Sequence, residues 1–173
     1  MAQKAKLAYA IASLREGAEL RMRISDECGQ MIVAAAILIQ NCLRADGKIL
    51  LFGNSGSAAD AQHIAAEFVG RFVLERRALP AIALTTDSPI LTAVGNDYGF
   101  DRVFSRQIEA LGRPNDVAIR ISTSGNSTNI LAGIEQARSK QMKTIGLSGK
   151  DGGHLARSCD ILIELELTGI KSA

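Results

Sequence analysis

Five short apolar runs, each parted from the next by a turn-rich or helix-like stretch, constrain this chain more than any other feature. They cover residues 48–52, 81–85, 117–122, 144–148 and 161–165. Runs this short and continuous suit strands buried on both faces. The stretches at 58–72, 101–111 and 127–140 read as helices. Strands alternating with helices imply βαβ units, hence a parallel sheet covered on both sides. Right-handed crossovers then give a doubly wound α/β domain: five parallel strands in a three-layer αβα arrangement. Arg120 falls inside the third run. A charge in a buried strand is costly unless paired, so its side chain either escapes at the strand end or meets a carboxylate.

Ahead of the sheet lie two helix-like segments, 4–24 and 26–45. The first repeats Leu7, Ile11, Leu14, Ala18 and Met22 at spacings of three and four, one apolar face of an amphipathic helix. Ser25 or Asp26 could cap the second, and Gly47 follows it. Its centre, 31–39, is apolar all round. Such a helix is buried, between subunits or in the core of the monomer, and the expectation is oligomerisation. No linker divides the chain. Residues 1–173 read as one domain, with 1–46 as oligomerisation helices and 47–167 as the αβα core.

Composition removes several classes of function. A hydrophobic share of 47% is enough for a full core. Lys and Arg number 20 against 18 Asp and Glu, too even a balance to argue for nucleic acid or a membrane surface. Aromatics at 4%, with no Trp, weaken any case for base stacking. The apolar run 31–39 is far short of the roughly 20 residues that span a bilayer. The N-terminus lacks the continuous apolar stretch of a signal peptide. Cys28, Cys42 and Cys159 are scattered, odd in number and without metal-ligand spacing, which suits a reduced, cytoplasmic setting.

Ligands of doubly wound sheets bind beyond the carboxyl ends of the strands. Three such ends carry glycine- and hydroxyl-rich loops: 53–57, 122–127 and 148–153. The second is the sharpest signal. Ser122, Thr123, Ser124 and Ser127 place four hydroxyls at one helix start, and Gly125 lets the backbone approach a ligand. A helix start offers unpaired N–H groups and partial positive charge, which suits an anion. With no Lys in the loop it is not a GxxxxGK[ST] nucleotide loop, and a phosphomonoester fits better. The plainer reading is a turn whose Ser and Asn only cap the helix. On the helix after the first strand, His63 and Glu67 are four apart and share a face. They could chelate a divalent metal, move a proton, or merely form a solvated pair. Residues 95–99, with Asn96 and Asp97, read as a surface turn carrying a carboxylate. Thr85, Thr86 and Asp87 end the second strand and could face the same crevice.

These loops together resemble a known family. Residues 53–63 (GNSGSAADAQH) with Glu67, 91–99 (LTAVGNDYG) and 121–127 (ISTSGNS) resemble the motifs of the phosphoheptose isomerases, within the wider sugar-isomerase (SIS) domain class of flavodoxin-like sheets. The likeness runs from about residue 5 to about 165. It implies an aldose–ketose isomerase converting sedoheptulose 7-phosphate into D-glycero-D-manno-heptose 7-phosphate, towards the heptose of lipopolysaccharide core or related surface glycans. It further implies a cytoplasmic homotetramer with one zinc per subunit. By match, Ser122, Thr123, Ser124 and Ser127 would hold the phosphate, and Asn54, Ser55, Gly56, Asn96 and Asp97 would contact the sugar. His63 and Glu67 would be metal ligands, with Glu67 also binding substrate and moving a proton. The family carries a further Gln and His on a C-terminal helix that residues 167–173 do not match, and His154 does not occupy that position. The resemblance thus assigns two metal ligands to this sequence and leaves the rest of the site open. The same fold also serves phosphosugar-sensing regulators and a scaffold that binds the replication initiator, so binding without catalysis is the alternative.

Overall fold

A computed structural model describes residues 2–149 and 158–165. One long helix, α1 (Ala2–Arg44), leads into β1 (Ile49–Gly53), α2 (Gly56–Val69), β2 (Ala81–Ala83) and α3 (Ser88–Tyr98). A single 3-10 turn then precedes α4 (Val103–Leu111), β3 (Val117–Ser122), α5 (Thr128–Ser139), β4 (Lys143–Gly149) and β5 (Ile161–Leu165). All the strand pairings are parallel, in the order β2-β1-β3-β4-β5. The doubly wound five-stranded sheet expected from the alternating runs is therefore present.

Strand alternation sorts the core into two layers. Leu50, Phe52 and Ala118 point to one face, where they pack with Phe104, Ile108, Ile130 and Ile134 from α4 and α5. Ile49, Leu51, Val117 and Ile119 point to the other, against Ala61 and Ala65 of α2 and Ala35 and Cys42 of α1. The first layer is tight. A Cβ added at Gly133 of α5 would lie 2.8 Å from the Phe52 ring, so only glycine lets that helix sit so low on the sheet.

Three expectations change. The two N-terminal segments are one helix, because nothing at Ser25–Asp26 breaks it and the Arg23–Glu27 ion pair, 3.2 Å, spans the expected boundary. At 43 residues it is roughly 65 Å long at about 1.5 Å per residue. Its apolar centre is only partly covered by its own chain: Ala35 is buried, whereas Met31, Ile32, Val33 and Ile37 are exposed. Residues 95–99 are not a surface turn; 95–98 complete α3, and Gly99 at φ 91° ends it. Turn-forming residues masked a helix whose start is well marked: the Asp87 carboxylate accepts from the Ile90 amide at 2.9 Å, and Pro89 occupies the first turn. Arg120, finally, does not escape. It is fully buried, donates from Nε to Cys159 Sγ at 3.4 Å, and lies against Gly146, where an added Cβ would come within 2.9 Å of the guanidinium.

The three cysteines are free. Burial, with the nearby Asp116 carboxylate, pushes the Cys42 thiol up, which keeps it protonated and unreactive. Among the described residues no helix is long and apolar enough to cross a membrane.

Candidate functional site

The sheet order reverses between β1 and β3, and this pair frames the crevice where such sheets bind ligands. Gly53 pairs with Ile121, so the loops after β1 and β3 start side by side. Each leads into a helix, α2 or α5, whose N-terminus points at the crevice.

The β3–α5 loop is braced from below. Ser122 is buried; its hydroxyl accepts from the Gly125 amide at 3.2 Å, and its carbonyl accepts from the Ser148 hydroxyl at 3.2 Å. Gly125 takes φ 64°, a left-handed conformation that glycine adopts without strain. The Ser124 hydroxyl accepts from the Asn126 amide at 3.4 Å. Thr123 and Ser124 are exposed and Ser127 half-buried. Ser127 precedes α5 yet makes no side-chain capping bond. The plain capped-turn reading therefore fails for the residue best placed to satisfy it. That hydroxyl and the first amides of α5 can serve a ligand.

The β1–α2 loop is strained. Ser57 donates its amide to the Asn54 carbonyl at 3.0 Å, closing a tight turn with Ser55 at φ 53°, ψ −121°. That is the first central position of a type II′ turn, where glycine is usual. A non-glycine residue there costs on the order of 1–3 kcal/mol, strain that concentrates at functional sites. Ser55 likewise makes no side-chain cap for α2. Two helix starts with unspent serines thus meet at one crevice.

A reciprocal amide pair ties the loops together. Asn54 Nδ2 donates to Asn129 Oδ1, and Asn129 Nδ2 to Asn54 Oδ1, both at 2.9 Å. Asn129 is 3% exposed and sits in the first turn of α5. Sequence reasoning missed it, because an Asn near a helix start reads as a cap; its burial was the missing signal.

The remaining candidates lie further out. His63 and Glu67 share one face of α2, about 10 and 16 Å along the axis from Gly56 at 1.5 Å per residue. Their nearest atoms are 3.8 Å apart, with side chains 74% and 32% exposed. That is too long for a hydrogen bond, and close enough for both to reach one ion through bonds of about 2.0–2.2 Å. They border a groove of about 400 Å³ lined also by Ile64, Phe68, Phe72 and Arg76, and by none of the loop serines. Arg76, unforeseen from sequence, donates to the Glu67 and Phe68 carbonyls at 2.6 and 2.8 Å and closes the end of α2. No group of three His, Cys, Asp or Glu able to hold a metal occurs among the described residues. Asn96 and Asp97 are exposed in the last turn of α3, joined by a 2.8 Å bond between their side chains. Thr85 and Asp87 have local work: Thr85 receives a bond from Gln62 of α2 at 3.2 Å, and Asp87 caps α3. His154 and most of the 148–153 loop lie outside the described residues.

Comparison with known proteins fits this arrangement. The SIS domain family matches residues 14–149. A phosphoheptose isomerase of Desulfovibrio desulfuricans is 54% identical over 154 residues, covering 89% of this chain and 73% of that protein. The chain belongs to the phosphoheptose isomerase family. Solved structures agree. A phosphoheptose isomerase from Francisella tularensis superposes with a TM-score of 0.91 at 36% identity, covering 95% of this chain and 88% of that one. One from Neisseria gonorrhoeae gives 0.82 at 44% identity, with 95% and 85% covered.

Proposed function

We propose that this protein interconverts sedoheptulose 7-phosphate and D-glycero-D-manno-heptose 7-phosphate, supplying heptose for bacterial surface glycans from the cytoplasm. The observation that carries this reading is the pair of helix starts at the β1/β3 switch point, each preceded by a serine that makes no side-chain cap. A phosphate ester anchored there by Ser122, Thr123, Ser124, Ser127 and the α5 amides fixes one end of a sugar chain. Asn54, Ser55, Gly56, Asn96 and Asp97 meet the hydroxyls. Binding energy from the remote phosphate then positions the reacting carbons.

Isomerisation moves a proton between C1 and C2 through an enediol. Glu67 takes the proton from C1 of the ketose and returns it at C2, while a proton shifts from the C1 hydroxyl to the carbonyl oxygen. His63, on the same helical face, then stabilises the oxygen on which charge develops. His63 and Glu67 would also hold zinc, which when bound would polarise the carbonyl. Two described donors are one short of the three protein ligands usual for catalytic zinc. Native mass measurement on zinc-loaded protein tests this: one ion per chain is expected, lost in His63→Ala.

We further propose a homotetramer built through α1. Its first half lies off the sheet, with Leu7, Tyr9, Leu14 and Met22 more than 60% exposed. A second copy is the natural cover for such a stripe. Analytical ultracentrifugation of the chain and of a variant with Leu7, Leu14 and Met22 changed to Gln tests it; the variant should dissociate.

The function is tested by incubating the purified, zinc-loaded protein with sedoheptulose 7-phosphate and following the aldose product by NMR. Turnover that inorganic phosphate inhibits competitively is expected. Tight binding without product would favour the phosphosugar-sensing reading instead.

A further inference from the structure

We infer that Asn129 is a positioning residue for the isomerisation, acting through Asn54 to set the sugar-binding loop against the phosphate grip. The inference rests on the isomerase reading above, and it concerns a side chain that belongs to neither the grip nor the acid–base pair.

Its physical basis is a side chain that stability alone does not favour. Asn129 is 3% exposed and sits one residue into α5, beside Ile130, itself fully buried in the core. Asn is a mediocre helix former, and a buried amide is costly unless its bonds are made. A leucine there would add apolar burial at no such cost. Both amide atoms of Asn129 are instead committed to Asn54, seventy-five residues away, at 2.9 Å each. This is a side-chain link between the turn after β1 and the first turn of α5. The turn it holds is the strained one, with Ser55 at φ 53°. A strained turn persists only where its surroundings over-determine it. The amide pair does so, and it fixes the turn relative to α5, the same helix whose start faces the phosphate. Two of the Asn54 amide's hydrogen-bonding positions are thereby used, which leaves one N–H and one lone pair for a sugar hydroxyl.

The consequence is a division of labour. The phosphate grip depends on hydroxyls and backbone amides that the Asn129 side chain does not touch. The placement of the sugar relative to that grip depends on the Asn54–Asn129 pair. Inorganic phosphate reads the first alone; sedoheptulose 7-phosphate reads both.

The test measures kcat and KM for sedoheptulose 7-phosphate, Ki for inorganic phosphate, and Tm. Asn129→Leu removes the pair. Asn129→Ser, favoured near helix starts and too short to reach Asn54, does so with the fold kept. Each should lower kcat by about tenfold to a hundredfold, the usual cost of misplacement by about an ångström, and weaken sedoheptulose 7-phosphate, seen as a raised KM, with phosphate Ki changed less than about threefold. Asn54→Ala combined with Asn129→Ser should be no slower than Asn54→Ala alone, because the second residue acts only through the first. Unchanged kcat in Asn129→Ser, additive losses in the double variant, or a loss of kcat accompanied by a matching rise in phosphate Ki and a fall in Tm would overturn the inference. If the wild type shows no turnover, the isomerase reading fails separately. Calorimetry then takes the place of kcat: Asn129→Ser must weaken sedoheptulose 7-phosphate and leave inorganic phosphate unchanged, or the positioning role fails as well.

Discussion

The serine loop at the top of β3 and the His63–Glu67 face of α2 are both candidate chemistry, yet they are built in opposite ways. The loop is held from beneath by buried Ser122 and Ser148 and tied sideways through Asn129. The α2 face is open: His63 is 74% exposed and makes no hydrogen bond to hold its ring among the described residues. One region is finished within a single chain; the other has its groups in place without surroundings that fix them. A rigid grip and a looser reactive end suit an enzyme that spends phosphate binding on placing carbons near an acid–base group.

The difference can be broken most forcefully at Glu67. Glu67→Gln keeps shape and removes the proton acceptor, so kcat should fall by about a thousandfold, within the range for lost acid–base catalysis, with little change in KM or Tm. A KM effect of the same size would merge the two regions into one binding site. Next in size, Ser127→Ala and Ser124→Ala should each raise KM and phosphate Ki by about tenfold to a hundredfold, the worth of a hydrogen bond to a charged group, with kcat at saturation nearly intact. Ser127→Ala should leave Tm unchanged, because the hydroxyl makes no cap.

Smaller still is Ser55→Gly. It relieves the positive φ and should stabilise by about 1 kcal/mol in thermal unfolding, while lowering turnover. Stabilisation without loss of activity would show that the strain is incidental. The smallest effect lies outside both regions. Burial of Asp160 opposes its charge, but hydrogen bonds from the Thr144 hydroxyl and amide, with Lys143 nearby, outweigh it and hold the carboxyl below its ordinary 3.8. A depressed carboxyl stabilises the fold above its unfolded value and loses that contribution as pH falls through the folded one. Asp160→Asn should therefore shallow the acid limb of stability below about pH 4 and leave stability near pH 7 slightly reduced.

The sequence revealed the sheet because parallel strands buried on both faces are written as uninterrupted apolar runs; β3 and β5 coincide with the runs at 117–122 and 161–165. It also revealed the serine loop, where hydroxyls and a glycine cluster in six residues. It hid what depends on tertiary partners. Asn96, Asp97 and Gly99 look like turn residues until Leu91 and Val94 are seen packed on the core. Ser25 and Asp26 look like a cap until the helix is seen to run through them. Asn129 carries no local mark of its pairing with Asn54, since nothing nearby in sequence announces a contact across seventy-five positions. Arg120 signalled its own oddity but not its solution, which depends on its register partner Gly146, at the centre of β4, leaving room.

Gly133 gives the anion grip a remote lever. The helix whose first turn is proposed to receive the phosphate rests directly on the Phe52 ring at that glycine, five residues from Thr128. One extra methyl group there has nowhere to go, so the whole helix must ride up or tilt, and its opening amides ride with it. Affinity for phosphate esters is thus adjustable from the dry interior, by shimming a cylinder rather than by editing any atom the ligand meets.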